Sequence, residues 1–171
     1  LKEQMAAAQK TIRSGVANWK YTDPLGDLKP TALKQNDRVW FDDELPAGAK
    51  PQGNGPSPWK FVTAPKHPVF SGKNSTVRTG KGITQHFFTG AKNPLPIHPN
   101  DTLFAYVFLD PKNPPETIQL QFNDGSWEHR AHWGADKAFG PGRNNASNKA
   151  MGPLPETGKW VRLEVSAATV G

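Results

Sequence analysis

The side chains best able to do chemistry lie in two neighbouring runs. Thr117-Ile118-Gln119-Leu120-Gln121-Phe122 alternates strictly, so Gln119 and Gln121 share one face of a strand and Ile118, Leu120 and Phe122 the other. In Trp127-Glu128-His129-Arg130-Ala131-His132-Trp133, the residues Glu128, Arg130 and His132 alternate with apolar or aromatic neighbours. Asn123-Asp124-Gly125-Ser126 between them is a run of turn formers. A tight turn there pairs Phe122 with Trp127, Gln121 with Glu128, Gln119 with Arg130 and Thr117 with His132. The expected product is a hairpin with Gln119, Gln121, Glu128, Arg130 and His132 on one exposed face, and Ile118, Leu120, Phe122 and Ala131 toward the core. Donors and acceptors fixed on a rigid sheet suit hydroxyl or anionic ligands. A solvated polar face, ordinary in antiparallel sheets, is the competing reading.

The preceding run, 102–109, places Phe104, Tyr106 and Phe108 on one side and Leu103, Ala105, Val107 and Leu109 on the other. Either side could form the core. Burial of the aliphatic side would bring the aromatic row, Tyr106 included, to the polar face and make the mixed platform that sugar rings favour.

Other chemistries find less support. His67, His86, His98, His129 and His132 include no zinc-protease frame, and His129 and His132 fall on opposite faces of one strand. No Gly-x-Ser-x-Gly elbow and no phosphate loop occurs. Glu128 has only turn acids near it in sequence, which does not make a glycosidase pair. The reading is therefore of a protein that is not an enzyme. Asp42 and Asp43 follow an expected first strand and Glu164 lies on the last. Terminal strands often neighbour one another, so these three carboxylates are the candidate ligands of a structural calcium ion.

Composition bounds the rest. The chain has 171 residues, room for one domain plus an appendage, with a net charge of +6 that favours anionic partners. Basic residues are dispersed without an aromatic-rich nucleic-acid signature, so nucleic acid is not an expected partner. Zero cysteines excludes disulfides, thiolate metal sites and thiol nucleophiles. No apolar run is long enough for a membrane span. The chain opens on Leu1, which reads as a piece of something larger.

The elements that must position these residues are short. Leu1, Met5, Ala8 and Ile12 recur at helical spacing, predicting a helix over residues 1–14, and 15–36 reads as a linker. Residues 37–171 carry β-rich runs at 38–41, 59–63, 76–79, 83–88, 102–109, 117–122, 127–133 and 160–165 between Gly/Pro/Asn turn clusters. This is the pattern of an all-β, jelly-roll-like antiparallel β-sandwich. Trp40, Trp127 and Trp160, each at the end of a run, are expected to be substantially buried. The stretch 134–159 has no periodicity and reads as a long functional loop.

The run 127–134, with Asp110-Pro111-Lys112-Asn113-Pro114-Pro115 before it and 152–165 after it, resembles a segment of large planctomycete cytochrome c-domain and planctomycete-specific-domain proteins. Val39-Trp40-Phe41-Asp42-Asp43-Glu44-Leu45-Pro46 and Gly82-Ile83-Thr84-Gln85-His86-Phe87-Phe88 extend the likeness over residues 39–171. The resemblance implies a lectin-like or carbohydrate-binding-like sandwich module in a larger extracytoplasmic polypeptide. The expectation is thus a non-catalytic module that binds polysaccharide, anionic glycans among the candidates. The alternative is a structural module that packs against neighbouring domains and binds no sugar.

Overall fold

The computed structural model describes residues 36–54, 60–139 and 145–171. The predicted N-terminal helix and most of the linker lie outside these residues, as does Trp59. Within them the chain is all-β. Its strands are β1 (Lys50–Gly53), β2 (Lys60–Thr63), β3 (Asn74–Val77), β4 (His86–Thr89), β5 (Thr102–Phe108), β6 (Thr117–Phe122), β7 (His129–Gly134), β8 (Lys149–Gly152) and β9 (Trp160–Ser166), followed by a 3₁₀ turn at Ala167–Thr169. They pair as β1-β4, β2-β3, β5-β9 and β6-β7-β8. Every pair is antiparallel except β7-β8, which is parallel.

The pairing of β5 with β9 decides where the core sits. Leu103 lies opposite Val165 and Ala105 opposite Leu163, while Phe104, Tyr106 and Phe108 face Glu164, Arg162 and Trp160. Alternation sends the first set to one side and the second to the other. The aliphatic side is the core: Leu103, Leu163 and Val165 are buried, and Leu103 and Val165 cluster with Ala131 and Val170. Phe122, Trp133, Leu95 and Met151 pack against that cluster. The β6-β7-β8 sheet therefore meets β5-β9 through its apolar face, a sandwich-like arrangement filled by small aliphatic side chains.

Two expectations are corrected here. Residues 38–41 form no strand, whereas β1 and β8 occur where none was expected. Trp40, Trp127 and Trp160 are largely shielded, as expected, with their rings on Phe88, Phe87 and Phe108. The hairpin pairs Phe122 with His129, Gln121 with Arg130, Leu120 with Ala131 and Gln119 with His132, so Trp127 and Glu128 belong to the loop. The shift keeps each residue on its expected face, because a two-residue slip preserves the period.

Candidate functional site

The outer face of β6-β7 carries the predicted polar set, and the chain folds back over it. Gly134 ends β7 with φ +87, and a Cβ there would run into the Glu116 carbonyl, so only glycine makes this turn without strain. Beyond it the chain returns through Asp136, Phe139 and residues 145–148 before β8 joins the edge of β7. That crossover is what a parallel pair requires. It also roofs the polar face.

Under the roof the polar groups bind one another. Arg130 is 8% exposed; its guanidinium donates to the Ser147 carbonyl at 2.9 Å and to Glu128 Oε1 at 2.8 Å, with the Phe139 ring centroid 5.4 Å away. His132 is 3% exposed, and its Nδ1 lies 2.9 Å from Asn148 Oδ1. Asn148, itself 1% exposed, donates its amide to Asp136 Oδ1 at 3.2 Å. That last bond orients the Asn148 oxygen toward the ring, so His132 Nδ1 is the donor. Gln121 Nε2 donates to the Trp127 carbonyl at 2.8 Å and closes the hairpin loop. Buried Arg130 Nε and Gln119 Oε1 have no hydrogen-bond partner among the described residues. Gln119, Gln121, Arg130 and His132 thus share a face, but Arg130 and His132 are enclosed rather than displayed. Only Glu128 is well exposed.

Tyr106 lies elsewhere. The apolar faces of β5-β9 and β6-β7 meet in the core, so their outer faces point away from each other, and Tyr106 cannot join the Arg130 face. Its ring stacks on Phe70 with centroids 3.7 Å apart. The hydroxyl accepts from Arg162 at 3.2 Å. Arg162 is the strongest polar anchor on this side. It grips both oxygens of Asp37, at 2.5 and 2.8 Å, donates to Glu164 Oε1 at 2.6 Å and lies 3.7 Å over the Phe104 ring. These bonds, the Asp37 pair foremost, raise its already high pKa. Sequence pattern hid this anchor, because Asp37 and Arg162 are far apart in the chain and only the fold brings them together.

The three carboxylates considered for calcium are engaged separately. Asp42 accepts from Ser71 Oγ. Asp43 Oδ1 accepts the backbone N–H groups of Lys73 at 2.6 Å and Asn74 at 2.8 Å, which hold its carboxyl below the usual range. Glu164 faces Arg162. Among the described residues no group of three or more His, Asp or Glu is placed to hold a metal ion, and no helix is long and apolar enough to cross a membrane.

A second feature went unnoticed in the sequence, an aromatic corner on the segment before β1. Trp40 packs on Phe88 with centroids 5.1 Å apart, and its indole N–H donates to the Asn93 carbonyl. Phe41 bridges Phe88 at 5.5 Å and Phe61 at 6.3 Å. Val39 and Phe61 remain 45% and 40% exposed. Residues 39–47 curve around an open depression of about 290 Å³ beside this corner. No family description, curated protein or solved structure matches the chain.

Proposed function

We propose that this chain is a non-catalytic interaction module that packs against other domains of a longer polypeptide through the aromatic corner of Val39, Trp40, Phe41 and Phe61. The observation that carries this reading is a contrast in exposure. The Arg and His side chains best suited to a polar ligand are bound inside the domain, whereas large apolar side chains at the corner stay in contact with water. Removing apolar surface of that kind from water favours association. The resemblance to a segment of large planctomycete polypeptides supports a place between other domains and an extracytoplasmic setting.

Polysaccharide binding is the second reading. It is favoured by the net charge of +6, which attracts anionic polysaccharide, and by the polar face that Gln119 and Gln121 share on β6. Isothermal titration with neutral and sulfated polysaccharides at two salt concentrations separates the readings. No heat is expected with either class. Heat that falls as salt rises, and that is lost in Gln119→Ala with the fold retained, would overturn the interaction-module reading.

A further inference from the structure

We propose that His129 is a pH-sensitive clasp fastening the C-terminal turn to the hairpin loop, a role that does not depend on the proposed function. Its ring bridges two acceptors. Nδ1 lies 2.6 Å from the carbonyl oxygen of Val170 and Nε2 lies 2.9 Å from Asp124 Oδ1. A carbonyl and an ionised carboxylate only accept, so both ring nitrogens must carry protons for both bonds to exist. Neutral imidazole has one N–H and can hold one acceptor at a time. Deprotonation therefore releases either the loop or the turn.

The surroundings fit a built clasp. Gly171 sits against the ring with φ +109, where a Cβ would lie 2.8 Å from Nδ1, so the residue there must be glycine for the ring to keep its place. Val170 belongs to the core cluster, and its N–H donates to the Ala167 carbonyl at 3.1 Å, closing the turn. Asp124 on the loop is the charged group bonded to the ring, and it and, more weakly, the nearby Glu128 favour the imidazolium. Arg130 projects from the opposite face of β7 and is paired with Glu128. The turn, 167–170, carries no charged side chain, and Phe122 is the apolar residue opposite on β6.

The electrostatics agree with the geometry. The Val170 carbonyl first, and then Asp124, hold the His129 imidazolium above its ordinary 6.5 against the opposing effect of burial. The His129 bond holds Asp124 below its ordinary 3.8. The clasp holds where Asp124 is ionised and His129 protonated, between the lowered value of Asp124 and the raised value of His129, and opens as pH rises through the latter.

The test is an NMR titration of the histidine rings in the full chain, with Gly171 amidated so that a terminal carboxylate plays no part, alongside hydrogen exchange at 167–171. His129 should titrate above 6.5 with both ring nitrogens protonated at pH 6. Asp124→Asn, at an exposed loop position, should lower that midpoint and leave the fold intact. Exchange at the Val170 amide, corrected for intrinsic base catalysis, should accelerate several-fold as the ring deprotonates, and this acceleration should vanish in His129→Gln. A midpoint at or below 6.5, a midpoint unmoved in Asp124→Asn, or the same corrected exchange profile in His129→Gln would overturn the proposal.

Discussion

Arg162 shows how far a side chain's role can lie from its sequence neighbours. Its guanidinium and the carboxylate of Asp37 are almost fully buried and hold each other face to face. Removing Asp37 takes away the two bonds to the terminal guanidinium nitrogens and leaves Arg162 desolvated, with Glu164 as its remaining carboxylate partner. Asp37→Ala is accordingly expected to cost about 1.5–3 kcal/mol in chemical denaturation, and Arg162→Lys should itself be destabilising, because an ammonium cannot reproduce the paired geometry. Arg130 and His132 were recognisable as polar chemistry on a strand, and alternation gave their common face. Their burial was not readable, because the roof that encloses them is built from Asp136, Phe139, Ser147 and Asn148, which carry no periodic signal. Asn148→Ala removes a hydrogen-bond partner from both His132 and Asp136, and about 1–3 kcal/mol of stability should go with it. Equal denaturation midpoints for wild type and Asn148→Ala would contradict the enclosed network.

Among the elements, β6 was the most legible, since six strictly alternating residues admit one assignment of faces. Its register was less so. Trp127 leaves the ladder to place its ring on Phe87, 5.3 Å between centroids, and to offer its carbonyl to Gln121, which lengthens the loop at the expense of β7. β1 and β8 were invisible for different reasons. β1 contains Pro51 and is exposed throughout, as an edge strand held by pairing with β4 can be. β8 forms only because β7 offers it a parallel edge. The aliphatic side of β5-β9 carries much of the cohesion. Leu163→Ala should cost about 2–5 kcal/mol in denaturation, and a loss under about 1 kcal/mol would mean that the core lies elsewhere.

For the molecule as a whole, the all-β class was legible from short β-rich runs and turn clusters, but the relation between its two outer faces was not. Either side of 102–109 satisfied the pattern, and only packing against Ala131 and Val170 selected the aliphatic one. That selection turned Tyr106 away from Arg130 and divided the expected platform between opposite sides of the sandwich. Among the described residues, the exposed large apolar side chains include Val39 and Phe61 at the corner, as well as Ile83 and Ile97. Hydroxyl-radical footprinting tests docking at the corner most directly, comparing oxidation of Phe61 and Val39 in the chain alone and in a longer polypeptide that contains it. Protection of at least about threefold at both residues, with the exposed loop around Asn123 unchanged, is the predicted result. Equal oxidation of Phe61 and Val39 in the two settings would contradict the account.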